Sequence, residues 1–306
     1  MSLTLLVLAA GMGSRYGGLK QIDPVGPSGE FVLDYSVHDA LWAGFDRVVF
    51  VIRRDFEEEF RRVVVSRYEK TTDVGVVYQE LKDLPEPHVC PPGREKPWGT
   101  GHAIWSARRA IETPFLVVNA DDFYGMEAFS RMALFLKEAG GKGCLGMGMV
   151  AYPLRNTLSE HGAVARGICE VTPDNLLKSV EEHTGIVRKG GRIEGDDTSG
   201  SVRELTGSEP VSMNFWGFTP EVFSQLEKRL CSFLDSGGKE NPKSEFYIPS
   251  AVSEIIASGA APASVIPTTG RWFGVTYRED REAVAATLSE LVRQGLYKTP
   301  LWSHTS

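Results

Sequence analysis

Residues 8–21 read Leu8-Ala9-Ala10-Gly11-Met12-Gly13-Ser14-Arg15-Tyr16-Gly17-Gly18-Leu19-Lys20-Gln21, at the end of an apolar run that starts at Leu3. An apolar strand feeding a glycine-rich turn lets backbone N–H groups come close to an anion. Arg15 and Lys20 add two cations at short range. Gly11-Met12-Gly13 alone would be no more than a tight turn from strand to helix. With the cations in register, the stretch reads as a phosphate site, of the kind that holds a nucleoside triphosphate. It lacks both the full Gly-x-Gly-x-x-Gly of dinucleotide binders and the Gly-Lys-Ser/Thr end of the P-loop.

Outward from this turn, strand and helix patterns alternate. Apolar or β-branched runs at 5–10, 47–52, 74–78, 115–118 and 144–150 read as strands. Helical patterns cover 34–44, with Asp34 as N-cap and Gly44 as C′, and the stretch after Asp55, where Glu58 has capping-box spacing. Two more cover 100–111 and 127–139. Near-continuous apolar strands separated by helices imply a parallel sheet covered on both faces. The expected class is therefore α/β, a Rossmann-like three-layer fold with a mainly parallel sheet. Ligands of such sheets bind at the carboxyl ends of the strands. The glycine turn, Gln79 and Asn119-Ala120-Asp121-Asp122 each follow a strand, so they should share one rim.

Beyond residue 150 the pattern changes. Segments 164–171, 177–182 and 185–192 read as antiparallel strands, 195–207 as a polar loop, and 220–234 and 248–258 as helices. A last helix ends at Gly295, with Thr276 and Glu279 at capping-box spacing. No repeat or long linker divides the chain, so residues 1–306 read as a single domain. Its half 1–150 would bind the nucleotide, and 151–306 would carry the acceptor side.

The 306 residues are 42% hydrophobic, enough for a sizeable core, and no apolar stretch is long enough to span a bilayer. The amino terminus lacks the basic region of a secretory signal. A net charge of −7 lacks the basic footprint of nonspecific nucleic-acid binding. Cys90, Cys144, Cys169 and Cys231 show no Cys-x-x-Cys spacing, which disfavours a disulfide scaffold and a zinc site and suits a reducing cytoplasm.

Asp121, at a strand's carboxyl end, is well placed for Mg²⁺, a hard cation that takes oxygen ligands and bridges phosphates. The alternative is a helix cap, and with Asp122 adjacent the two carboxylates can divide these roles. Pro97-Trp98-Gly99-Thr100-Gly101-His102 alone reads as a glycine-rich turn with a Thr cap, and His102 as a residue that packs. Gln79 is either an exposed strand-end side chain or a reader of a base edge, since an amide both donates and accepts.

Together these segments resemble the sugar-phosphate nucleotidylyltransferases, also called nucleotide-sugar pyrophosphorylases. Leu-Ala-Ala-Gly-x-Gly-Ser-Arg…Lys is similar to that family's signature. The resemblance implies a triphosphate cradle at Leu8, Ala10, Gly11, Gly13 and Ser14, with Arg15 and Lys20 on phosphate oxygens. It implies the nucleotide-diphospho-sugar transferase type of fold, with antiparallel additions in its second half. Asn119-Ala120-Asp121-Asp122 resembles the family's Gly-Asp-Asn motif, making Asp121 a Mg²⁺ ligand. Gln79 matches a residue that reads uracil or thymine, and Gly99 and Thr100 match a segment whose backbone lies against the nucleoside. Residues 80–96 are an insertion relative to the family, with Pro85, Pro87, Pro91 and Pro92 in it, and are a candidate lid or contact within a homo-oligomer.

On the acceptor side, Ser179-Val180-Glu181-Glu182-His183 resembles Glu-Lys-Pro. Glu181 is the better match for the sugar contact, Glu182 the second choice, and His183 or Lys178 stands in for the phosphate-binding Lys. Asn214 matches a sugar-contacting Asn. Trp272-Phe273-Gly274 resembles Trp-x-Asp, whose Asp is the second metal ligand, so a glycine stands where a carboxylate is expected. Mg²⁺ would then rely on Asp121, phosphates and water, or on a substitute such as Asp280. The resemblance implies transfer of a nucleotide from an NTP, UTP or dTTP first, to a sugar 1-phosphate with release of pyrophosphate. Molybdenum-cofactor and alditol-phosphate nucleotidylyltransferases share the loop, and a non-catalytic nucleotide-sugar-binding paralogue is the remaining alternative.

Overall fold

The computed structural model describes residues 1–11, 24–159, 161–274 and 280–302, with the side chain of Asp280 outside this set. Met12, Gly13, Ser14, Arg15 and Lys20 therefore lie outside the described residues, as do Thr276 and Glu279.

The first half builds the four-stranded parallel core of one 11-stranded sheet. Strand β1 (Thr4–Leu8) lies between β2 (Arg47–Ile52) and β4 (Phe115–Asn119), parallel to both, and β3 (Asp73–Tyr78) extends the sheet beyond β2. The helices between them are α1 (Val32–Ala43), α2 (Glu57–Val63) and α3 (Thr100–Ser106). Alternate strand side chains divide between two buried clusters. Leu5, Val7, Val48, Phe50, Leu116 and Val118 face one cluster, while Leu6, Val49, Val51, Phe115 and Val117 face the other. Each such side chain contributes roughly 1.5–3 kcal/mol on burial. This two-sided alternation is why the strands read as continuous apolar runs, and it produces the expected three layers.

The remaining elements extend the same sheet. After β5 (Asp122–Phe123) come α4 (Met126–Gly140), β6 (Met147–Pro153), β7 (Val164–Val171), β8 (Leu177–Lys189), β9 (Arg192–Asp196), β10 (Val202–Leu205) and β11 (Pro210–Phe218). Then follow α5 (Val222–Phe233), α6 (Ile248–Ala257), β12 (Ala263–Pro267), β13 (Phe273–Gly274) and α7 (Asp280–Arg293). Strand β11 is the hinge of the architecture. Its carboxyl half pairs antiparallel with β4, whereas Val211 and Ser212 pair with β7. Between them the register with β6 breaks from Ser212 to Trp216. Asn214 sits in that break at φ 57°, a left-handed conformation that Asn tolerates better than most residues. From β7 the sheet runs on through β8, β9 and β10, all antiparallel.

Local readings and structure differ in instructive places. Asp34 is not the N-cap of α1. The helix starts at Val32, and Asp34, fully buried, accepts the Phe31 N–H (2.7 Å), Arg67 Nε (2.9 Å) and the Tyr68 hydroxyl (2.6 Å). Gly44 does end the helix, at φ 95°. Asp55 lies inside a short 3-10 turn and binds Arg53 instead of capping α2. Segment 177–182 and most of 185–192 join into β8, bent at Gly185 (φ 62°), and the supposed loop 195–207 holds the end of β9 and all of β10.

Candidate functional site at the carboxyl edge of the parallel strands

The chain adds β2 and β3 on one side of β1, then crosses to place β4 on the other. The gap between the ends of β1 and β4 is therefore the topological switch point, where open α/β sheets bind ligands. Leu8 is in register with Asn119 there, and the Ala120 N–H donates to the Leu8 carbonyl (3.2 Å). Ala10 is buried and Gly11 exposed, with nothing among the described residues within 4 Å of a Cβ placed on Gly11.

Gln79 lies two strands away, directly after β3. Its Nε2 donates to the Gly99 carbonyl (2.9 Å) and to His102 Nδ1 (3.2 Å). His102 Nε2 donates to the Asp83 carbonyl (2.7 Å), which leaves Nδ1 as an acceptor. Burial lowers the His102 pKa to about 4, so the ring is neutral at physiological pH. Rotating the Gln79 amide would set its oxygen against the Gly99 carbonyl, so the network fixes Oε1 as the outward group. The expected two-way amide is thus half spent: Gln79 offers a ligand an acceptor.

Gly99 and Thr100 are bound into the body of the fold. Gly99 has φ 98°, and a Cβ there would fall 2.7 Å from the Phe246 carbonyl oxygen. No other residue fits that position. The Thr100 hydroxyl accepts the Ile248 N–H (3.1 Å), at the start of α6. Insertion 80–96 is also fastened down. Arg108 forks onto Asp83 (2.8 and 2.7 Å), and the Trp98 indole donates to the Leu81 carbonyl (2.9 Å). Buried Arg94 donates to the carbonyls of Lys96, Pro97, Asn241 and Ser244. The insertion is therefore a wall of the Gln79 corner, and Asp83 links it to His102.

On the β4 side, Asp121 and Asp122 line a cavity of about 300 Å³ together with Asn119, Arg166, Glu182 and Asn214. Asp122 is the more buried of the two. Its Oδ2 accepts from Asn119 Nδ2 (2.8 Å) and the Tyr124 hydroxyl (3.1 Å). Burial, and then the neighbouring Asp121 charge, raise its pKa to about 7. Gly274 lies directly across the β5–β13 pair from Asp122, and a Cβ on Gly274 would fall 2.5 Å from Asp122 Oδ1. The carboxylate missing at 274 thus has a cause: the Asp122 side chain fills that space. Among the described residues no group of three His, Cys, Asp or Glu side chains could hold a metal ion by itself. Two adjacent carboxylates at a cleft wall, without His or Cys, do fit Mg²⁺, which binds few protein carboxylates and keeps phosphates and water.

The candidate acceptor-side residues fall on different faces of β8. Cross-strand register puts Gly167 opposite Glu182 and Ser212, so Glu182 faces the cavity. Glu181 takes the opposite face, exposed, and accepts from the Thr198 hydroxyl (3.1 Å). Lys178 is paired with Glu170 on the surface (2.9 Å). His183 is buried on the Glu181 face, 3.8 Å from that carboxylate. Neither stand-in for the family's Lys lines the cavity; Arg166, unnoticed in the sequence, does.

A second cavity, about 700 Å³, backs onto the first. Asp122 and Phe123 point to opposite sides of β5, so Asp122 lines one cavity and Phe123 the other. The second is mainly apolar, between the start of α4 and α7, with Phe123 stacked on Phe273 at 4.4 Å.

Two solved structures share this architecture from end to end. One is an inositol-1-phosphate CTP transferase from T. maritima, with a TM-score of 0.58, 12% identity, and 94% of this chain and 96% of that one covered. The other is a UDP-glucose pyrophosphorylase complexed with UDP-glucose, with a TM-score of 0.57, 17% identity, and 95% and 99% coverage. The fold of this chain is thus the α/β fold of the sugar-phosphate nucleotidyltransferases, a large sheet with a parallel core and antiparallel additions. No family model matches the sequence, and no curated protein does. No helix among the described residues is long and apolar enough to cross a membrane.

Proposed function

We propose that the protein is a Mg²⁺-dependent nucleotidylyltransferase that moves a nucleoside monophosphate from UTP or dTTP to a sugar 1-phosphate. The observation that carries this reading is the common edge of Leu8–Gly11, Gln79–Gly99 and Asp121 at the switch point of a nucleotidyltransferase fold. An oxygen of the acceptor phosphate forms a bond to the α-phosphorus. The bond from that phosphorus to the β-phosphate oxygen breaks, and its electron pair leaves with pyrophosphate. Such chemistry needs positioning and charge neutralisation rather than a protein nucleophile. Arg15 and Lys20 would hold the triphosphate oxygens. Asp121, with Asp122 beside it, would hold Mg²⁺, which supplies positive charge to phosphate oxygens when bound. Gln79 Oε1 would accept the N3–H of uracil or thymine, while Glu182 and Asn214 would face the acceptor.

A second reading replaces the donor by CTP and the sugar by a polyol phosphate. It is favoured by the outward Oε1 of Gln79, which the exocyclic amine of cytosine also satisfies. The test is a screen of NTPs against sugar and polyol phosphates with Mg²⁺, read by pyrophosphate release. UTP or dTTP should lead, and Lys20→Ala and Asp121→Asn should each abolish release in folded protein. Full activity in both variants refutes the transferase reading. Silence for every pair, with tight nucleotide-sugar binding, would instead identify a sensor.

A further inference from the structure

The geometry assigns Arg166, at the start of β7, as the cation that receives the acceptor's phosphate, an inference that rests on the transferase reading. Arg166 lines the cavity that also holds Asp121 and Asn214. Its three side-chain nitrogens bond only neutral oxygens. Nε donates to Thr157 Oγ1 (3.2 Å), Nη2 to the Thr157 carbonyl (2.5 Å) and Nη1 to the Ala165 carbonyl (2.8 Å). Its guanidinium lies 4.8 Å from the centre of the Trp272 ring. Among the described residues it forms no ion pair, whereas Arg47, Arg67, Arg108 and Arg203 each pair with an Asp within 4.0 Å.

A half-buried charge without a counter-ion is partly stripped of water, and an anion arriving from solution would compensate it. Burial pulls the Arg166 pKa down to about 10, and the group is still charged at neutral pH. Asp122 and Glu182 stabilise that charge from beyond ion-pair distance. The three bonds use three of five N–H groups, so two donors remain in the planar fork that suits two phosphate oxygens. The bonds to Thr157 and Ala165 pre-organise that fork before the acceptor binds. The sequence offered His183 or Lys178 for this task, and both lie off the cavity. Arg166 is the cation that the described part of the cavity contains.

The test uses the full chain, the best NTP and acceptor from the screen, and inorganic phosphate as a competitor of the acceptor. Arg166→Met should raise the acceptor KM about 30-fold, as expected on losing a half-buried, hydrogen-bonded charge partner. The inhibition constant of inorganic phosphate should rise by a similar factor, with the NTP KM within about twofold. Loosening of the sugar pocket alone would not move the constant of a competitor that has no sugar. Arg166→Lys keeps the charge and loses the fork, so about a tenfold rise is expected. If Arg166→Met does not fold, Arg166→Lys decides on the same two constants. Unchanged acceptor and phosphate constants in an active enzyme overturn this assignment and leave the transferase reading standing. A wild-type protein that neither turns over nor binds any phosphorylated acceptor overturns both.

Discussion

Placing a methyl group on Gly274 tests why the expected second carboxylate is absent. The glycine has no positive φ to protect, so Gly274→Ala adds only a steric load. The new Cβ would meet Asp122 Oδ1 at 2.5 Å, and Trp272 Cζ2 and Cη2 at 3.1 and 3.2 Å. Asp122 cannot simply swing aside, because its other oxygen is held by Asn119 and Tyr124. Overpacking of this kind costs about 1–3 kcal/mol, and displacing one hydrogen bond adds roughly 1 kcal/mol. With an unfolding entropy of about 2.1 cal/mol/K per residue over 306 residues, each kcal/mol moves Tm by roughly 1.6 °C. The expected loss of about 2–4 kcal/mol thus lowers Tm by roughly 3–6 °C, measurable by thermal denaturation followed by circular dichroism. The cause is checked in an Asp122→Ala background, where the obstructing oxygen is gone and the penalty should fall by more than half. A drop below about 1 °C, or the same drop in both backgrounds, refutes the collision as the reason for glycine.

Three further outcomes follow from the Gln79 corner. Gln79→Leu should lower kcat/KM for the preferred NTP by about 10- to 100-fold, and His102→Ala by less. The double variant should be no worse than Gln79→Leu alone, since His102 acts through the amide, and additive losses in steady-state kinetics would disprove that. The stability contribution of His102 should depend on pH with a definite sign. Its folded pKa of about 4 lies below the ordinary 6.5, so the unfolded chain takes up the proton first as pH falls. The contribution is complete above pH 6.5 and is lost toward pH 4, so the stability gap between wild type and His102→Ala in urea should shrink by about 2–3 kcal/mol between pH 7.5 and 4.5. A constant gap would contradict the buried neutral ring. Thr100→Val removes the acceptor of the Ile248 N–H and should cost about 1–2 kcal/mol in urea denaturation, and a neutral result would deny that bond a role.

The first half of the chain was legible because its signals are local. A parallel strand buried on both faces is a run of apolar residues, and the turn chemistry that follows it is written in adjacent positions. Leu8, Gln79 and Asp121 could be assigned to one rim without any structure, because parallel strands bring their carboxyl ends together. The second half depends on pairing between distant segments. β9 and β10 hide in a polar stretch of Gly, Asp, Ser and Thr because what makes them strands is their antiparallel pairing beside β8. Choosing Glu181 over Glu182 was a choice between the two faces of one strand, and a shift of one residue exchanges those faces. The motif match carries no information on the face; the register of Gly167 with Glu182 turns Glu182 toward the cavity. Arg166 was invisible for the same reason, since nothing nearby in sequence reports the cavity it enters.

The break in β11 explains why the two halves must be read together. One half of that strand is bonded to β4, which carries Asn119 and leads to Asp121. The other half is bonded to β7, which carries Arg166. Asn214 stands between them in a left-handed conformation, so the strand can change partners without ending. An acceptor phosphate held at Arg166 and a donor held near Asp121 would thus be positioned by a single strand. A loosened bend should then disturb both at once. Asn214→Val, a β-branched residue at φ 57°, should cost about 1–3 kcal/mol of stability and raise the KM of acceptor and donor together. A rise confined to the acceptor would show that Asn214 acts through direct contact with it and not through the strand.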